Sequence, residues 1–271
     1  GLPDWFTKYM YIYAFPKKLV KKLQISFNYH HFMSNHSINY QEKFKLISTA
    51  TLATALFKRG LKNQCIQGVS ALHHSGKKLI GTAFTLRYIP AREDLNGLEV
   101  FRDPNHPQRV AVETCPEHSV LVIDSRKDAR AASAGSILIT RLFKRGCSGI
   151  VTDGGFRDSA EIAALDFPSY HNRPSAPTNL TLHQAIGINE PISWGDVAVF
   201  PGDLLVGDAD GVIVIPQHLI EEIAETCAEM TLFEDFVMER VKQGASIRGL
   251  YPPTNPETLV DFEKWKEIQD R

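Results

Sequence analysis

Between Gly135 and Glu161 the chain follows a pattern that few backbones satisfy. Gly135-Ser136-Ile137-Leu138 opens an apolar run that Gly146 ends. The short β-branched stretch Gly149-Ile150-Val151-Thr152 then runs into Asp153-Gly154-Gly155-Phe156-Arg157-Asp158. This order predicts a helix, a glycine turn, a buried strand and a glycine-rich turn at the strand's C-terminal end. In α/β layouts, ligand chemistry collects at such ends.

The turn sets an arginine beside a carboxylate. Arg157 offers a planar fork of donors matched to a carboxylate, and Asp158 offers hard oxygen to a divalent metal. Together they suit a small 2-oxo acid, whose carboxylate needs the cation and whose keto oxygen needs a Lewis acid. The competing reading makes Asp158 the N-cap of a helix beginning near Ser159, with Glu161 in a first turn where the dipole favours negative charge. Upstream, a helix opening at Gly135 leaves its first backbone N–H groups unpaired, a ready anion site that glycine lets a ligand approach. Packing of the small-residue run Ala131-Ala132-Ser133-Ala134 against a sheet is the alternative there.

These residues resemble the family of 4-hydroxy-4-methyl-2-oxoglutarate aldolases and regulator-of-ribonuclease-activity-A-like (RraA-like) proteins. The family pattern is a glycine, a spacer, then Arg-Asp, two residues and an acid, matched here by Gly135 and Arg157-Asp158-Ser159-Ala160-Glu161. Similarity extends over residues 45–225, through the Ser48–Leu56 segment, Gly81-Thr82-Ala83-Phe84, Val120–Asp124, Pro201-Gly202-Asp203 and Asp208–Pro216. The resemblance implies a layered α/β/β swivelling-domain fold with a mixed sheet, assembled as a ring-shaped homotrimer or a dimer of trimers. It also implies that the N–H groups around Ile137 and Leu138 bind a pyruvate carboxylate together with Arg157. The implied activity is metal-dependent lyase chemistry: cleavage of a 4-hydroxy-2-oxo dicarboxylic acid to pyruvate plus an oxo acid, with oxaloacetate decarboxylation as the kindred reaction. A non-enzymatic regulator that binds and inhibits ribonuclease E is the alternative within the family.

On this reading Arg157 and Asp158 are the catalytic pair, and Gly135, Ser136, Ile137, Leu138 and Arg157 bind substrate. Asp158 is the metal ligand, since one carboxylate completed by water and substrate oxygens is the habit of Mg²⁺, with Mn²⁺ as the other candidate. Glu161, one turn on, either orients metal-bound water or compensates the helix dipole. Ser136 departs from the family, many of whose members carry an acid there. No general base is visible. Asp153 and the Pro201–Asp203 and Asp208–Gly211 segments read as turn chemistry. Arg173, and more weakly Arg87 and Arg92, are candidates for a second substrate carboxylate.

Net charge is −1, which argues against electrostatic binding of nucleic acid or an anionic membrane. No apolar stretch is long enough for a membrane span. The scattered cysteines Cys65, Cys115, Cys147 and Cys227 show no paired spacing and fit reduced thiols in a cytoplasmic protein. Residues 1–32, rich in aromatics and lysine, read as an appended extension, residues 33–245 as the catalytic domain and residues 246–271 as a docking tail ending in an amphipathic helix. Strands are expected at Ile66–Val69, Leu79–Tyr88, Val120–Ile123, Gly149–Thr152, Val197–Phe200 and Gly211–Ile215. Helices are expected over 42–59, Ser133–Arg145 and Leu219–Met238.

Overall fold

The computed structural model describes residues 40–268 apart from residues 74–75, so the extension at 1–32 lies outside the described residues. In chain order the elements are α1 (Tyr40–Phe44), α2 (Thr49–Lys58), β1 (Ser70–Ala71), β2 (Leu79–Pro90), α3 (Pro107–Thr114) and β3 (Ser119–Asp124). Next come β4 (Ala132–Ala134), α4 (Ser136–Lys144), β5 (Gly149–Thr152), β6 (Gly155–Phe156), α5 (Ser159–Ala163), β7 (Ser169–His171) and β8 (Arg173–Pro174). The chain continues through β9 (His183–Ile188), β10 (Ile192–Trp194), β11 (Val197–Val199), β12 (Leu204–Asp208), β13 (Gly211–Ile215), α6 (Ile220–Lys242) and α7 (Pro256–Ile268).

The main sheet runs β1-β7-β5-β3-β2-β12-β13, with β9 also paired to β2. Strands β2, β3, β5 and β7 are parallel, and β12, β13, β9 and β1 join antiparallel. The sheet is therefore mixed, as expected. Its central strands are apolar on both faces, which the alternation along β3 makes plain. Leu121 and Ile123 enter one core with Ala111 of α3, Ile139 and Leu142 of α4 and Ile162 of α5. Val120 and Val122 enter another with Trp194, Val197 and Val199 of the β10–β11 ribbon. A third core joins Leu204 and Val206 of β12 to Leu52 and Leu56 of α2 and Ile223 of α6. Helices thus cover one face of the sheet and a β-ribbon the other, giving α/β/β layers.

Three local expectations are corrected. The stretch 42–59 is two helices, because Ser48 adopts an extended backbone and its side chain caps the second by accepting from Thr51 N. Residues 66–69 form no strand, and only Cys65 makes an isolated bridge, to Ile213. The helix expected from Ser133 begins at Ser136, because Ala132–Ala134 is spent as strand β4. At the C-terminus α7 docks on α6, where Phe262 meets Phe233 edge-on and Trp265 Nε1 donates to Glu239.

Candidate active site

A second, three-stranded sheet carries the site. β4 pairs in parallel with β6, and β6 with β8. The pairing of Ala134 with Phe156 puts the residues that follow each strand side by side, and Arg157 N donates to Ala134 O at 3.1 Å. Gly135 and Arg157-Asp158, far apart in sequence, leave adjacent strand ends together.

Beneath the turn, buried polar groups fix its path. Asp153 accepts from the backbone N–H groups of Ser125 at 2.7 Å, Lys127 at 3.0 Å and Gly195 at 3.3 Å. Burial pushes its carboxyl up to about 6 against the pull of these donors. It is a turn-fixing residue. A Cβ on Gly154 would sit 2.6 Å from Ser133 Oγ and 2.7 Å from Ser125 Cβ, so only glycine admits this approach.

Asp158 occupies the residue before α5 with φ 61°, in the left-handed region, and its side chain makes no cap bond to that helix. The carboxylate instead crosses to α4. Its Oδ2 accepts from Ser136 N at 3.1 Å and from Ser136 Oγ at 3.2 Å, while Oδ1 lies 3.6 Å from Arg157 Nε. The N-cap reading is therefore right about position and wrong about the helix served. Non-glycine residues in this conformation cluster at functional sites. Ser136 N is satisfied by Asp158, and Ile139 N by Gly135 O at 3.2 Å. The N–H groups of Ile137 and Leu138 fall in the first turn, where a helix offers no acceptor.

Gly135, Ile137, Leu138, Arg157 and Asp158 line a cavity of about 330 Å³. Other lining residues come from elsewhere in the chain: Phe101, Gln108 and Arg109 around the start of α3, and Thr178 and Asn179 after β8. Ser136 is not part of this lining and is linked to it by its bonds to Asp158. Glu161 sits exposed in the first turn of α5, outside the lining, and Arg173 on β8 is exposed and also outside it. Arg87 is exposed on β2, and Arg92 pairs with Asp94. The described histidines lie outside the lining as well; His171 stacks on Phe156 and His183 on Tyr88. Sequence reasoning passed over Arg109, and it reached Asn179 only as the last residue of the irregular loop 170–179, which follows the site strand and is placed to act as a lid or to supply substrate contacts.

Among the described residues no group of three histidine, cysteine or carboxylate side chains gathers to hold a metal. The donor set is one carboxylate, Asp158, with one oxygen held by Ser136 and the other facing only a long contact to Arg157. That set fits a hard divalent cation retaining most of its water, and does not fit zinc. No helix among the described residues is long and apolar enough to cross a membrane.

A profile of the RraA-like family, described as Aldolase/RraA, matches residues 49–214. A protein of Halalkalibacterium halodurans named "Putative 4-hydroxy-4-methyl-2-oxoglutarate aldolase" is 31% identical over 196 residues, covering 71% of this chain and 84% of that one. Protein DlpA of Legionella pneumophila is 25% identical over 172 residues, which span 64% of this chain and only 27% of DlpA. Among solved structures, Streptomyces coelicolor RraAS2 superposes with a TM-score of 0.67 at 25% identity, covering 75% of this chain and 97% of that one; its title calls it an unusual member of the RNase ES inhibitor RraA protein family. An uncharacterized Pseudomonas syringae protein gives the same TM-score at 21% identity, over 78% of this chain and 96% of that one, a likeness of fold alone. The matched span runs from the first turn of α2 into β13 and so contains both the mixed sheet and the small sheet that holds Arg157 against Gly135; this chain belongs to the RraA-like family.

Proposed function

We propose that this protein is a divalent-metal-dependent lyase that cleaves 4-hydroxy-2-oxo dicarboxylic acids to pyruvate and an oxo acid, and that decarboxylates oxaloacetate. The observation that carries this reading is the convergence of the α4 N-terminus, Arg157 and Asp158 on one cavity. The N–H groups of Ile137 and Leu138 and the positive end of the helix dipole receive the carboxylate of the 2-oxo acid. Arg157, half-exposed at the rim, adds a charged, forked donor to the same end of the substrate. Asp158 holds the cation, Mg²⁺ or Mn²⁺, and Ser136 fixes the orientation of that carboxylate through two donated hydrogen bonds. When bound, the cation supplies Lewis-acid polarisation of the 2-keto oxygen and charge stabilisation as the C3–C4 bond breaks.

The names carried by relatives support an aldolase, and the intact Arg157-Asp158 pair favours an enzyme over a pure regulator. Ile137, 84% exposed on the cavity lip, offers apolar surface for a neighbouring subunit in the trimer we propose. The likeness to RraAS2 is the observation that favours the second reading, a protein that binds and inhibits ribonuclease E. Pyruvate release from oxaloacetate and from 4-hydroxy-4-methyl-2-oxoglutarate, with Mg²⁺ and then with EDTA, separates the two. Mg²⁺-dependent release from either compound supports the lyase; its absence from both, with inhibition of ribonuclease E, supports the regulator.

A further inference from the structure

Two polar residues that share the cavity lining with Asp158 are chemically unspent. Arg109, on the first turn of α3, lies with its guanidinium 5.4 Å from the centre of the Phe101 ring and forms no ion pair with a described carboxylate. A cation stacked on an aromatic face keeps its edge N–H donors free for a second partner. Asn179, which opens the short helical turn Asn179–Thr181, is 5% exposed. Its Oδ1 accepts from Thr178 Oγ1 at 3.3 Å, and its amide nitrogen has no partner among the described residues. A buried donor left without an acceptor is costly enough that folded proteins rarely keep one without a use.

Neighbouring groups hold the segments that carry these two residues in place. Gln108 Nε2 donates to Tyr88 Oη at 2.9 Å and to Ser133 O at 2.7 Å, which ties α3 to β4. Ala132 N donates to Pro177 O at 2.8 Å, which ties the Thr178-Asn179 segment to the same strand. One cavity therefore brings together the α4 N-terminus and the Arg157 cation from one part of the chain, and the Arg109 cation and an unmatched Asn179 amide donor from two others. Among the described residues, the only carboxylate lining it is Asp158.

We infer that Arg109 and Asn179 form the subsite for the second carboxylate of the substrate, and so make the protein selective for 2-oxo diacids over 2-oxo monoacids. This rests on the lyase reading for what happens at the first carboxylate, and it identifies the residues that recognise the other end. Arg109 supplies charge and Asn179 a directed N–H donor, a combination that accepts an anionic carboxylate and gives nothing to a methyl group. The assignment moves the second-carboxylate role from Arg173, which is exposed and not part of the cavity lining, to Arg109.

The test uses two ligands of equal chain length that lack the 4-hydroxyl and resist retro-aldol cleavage, 2-oxoglutarate and 2-oxopentanoate. Their binding to the full chain is measured by titration calorimetry in the presence of Mg²⁺. We expect wild-type protein to bind the diacid at least tenfold more tightly. Arg109→Met keeps an apolar stem over Phe101, and Asn179→Asp replaces the donor with a like charge. Each should cut the preference at least fivefold while leaving the Kd of 2-oxopentanoate within twofold, and two chemically different variants guard against a folding defect in either. Absence of a preference in wild type, or a preference that survives both variants, overturns the assignment and leaves the lyase reading to be judged by pyruvate release. A preference erased by both variants in a protein that releases no pyruvate sustains the diacid subsite and defeats the lyase reading instead.

Discussion

Gly135 and Asp158 approach so closely that a Cβ at residue 135 would lie 2.7 Å from Oδ2 of Asp158, and only 2.9 Å from Cγ of Arg157. The glycine of the motif is therefore defined by the two side chains that follow it a strand and a helix later. Its own φ of −124° is open to any residue, so space rather than backbone freedom demands glycine.

Gly135→Ala should displace the Arg157-Asp158 pair without disturbing the sheets. A displacement approaching 1 Å at a reacting centre costs about 100-fold in rate. We expect kcat/KM for oxaloacetate to fall by about that factor, with the melting temperature within a few degrees of wild type. Wild-type kinetics would mean that the pair tolerates movement and does not position the reaction.

Asp158→Asn keeps the shape and removes the charge that attracts a divalent cation. Asparagine tolerates the left-handed backbone at this position, so the fold should persist. Activity should drop by about 100-fold or more, while circular dichroism stays unchanged. Wild-type rates at limiting Mg²⁺ would exclude Asp158 as the ligand.

Arg157→Lys keeps one positive charge and loses the fork. The KM for 2-oxo acids should rise, with a smaller fall in kcat if the same contact aligns the C3–C4 bond. Steady-state kinetics with oxaloacetate measure both, and an unchanged KM would assign Arg157 a purely structural role.

Ser136→Asp sets a second carboxylate against Asp158, where the native hydroxyl and N–H both donate to Oδ2. Two like charges at that distance repel unless a cation sits between them. The Mg²⁺ concentration for half-maximal rate should fall severalfold. The melting temperature should drop in EDTA and recover on adding Mg²⁺. A variant that responds to Mg²⁺ as wild type does would detach residue 136 from the cation.

His171 links stability to pH. Burial holds its imidazole down to about 4, with the ring stacked on Phe156. A depressed pKa contributes stability that is complete above the unfolded value near 6.5 and is lost as pH falls toward 4. The shift corresponds to about 3 kcal/mol at most. Asp153 works in the opposite sense: its carboxyl, raised to about 6, contributes stability present below the ordinary carboxylate range and lost as pH rises through 6. His171→Phe removes the first effect and keeps a ring against Phe156. Its melting temperature relative to wild type should climb steadily as pH is lowered from 7 to 4. A constant difference across that range would show that His171 does not titrate with folding.

The helix–strand–turn unit from Gly135 to Asp158 was legible because its signals are local. Apolar periodicity makes α4, Gly146 stops it, β-branched residues make β5, and paired glycines make the turn. Two features that the periodicity hid were non-local. Ala131–Ala134 carries too little side chain to announce a strand, and Ala132–Ala134 becomes one only because β6 supplies its hydrogen bonds. Likewise β9 and β12 take their strand character from flanking β2, which pairs with both.

The site divides along the same line. Arg157 and Asp158 stand next to each other in the chain, so their chemistry could be read directly, together with the glycine spacing that places them. What Asp158 does with its carboxylate depended on α4 arriving beside it, a consequence of the parallel pairing of β4 with β6. The rest of the lining was legible only in part: the irregular loop 170–179 could be read as a source of substrate contacts, and Arg109 could not. Arg109 and Asn179 are separated from each other and from Arg157 by whole elements, and no periodicity or spacing relates them. Only the packing of α3 and the Thr178-Asn179 turn onto β4 brings them to one cavity, because a folded chain juxtaposes residues through its sheet order and sequence patterns record only near neighbours.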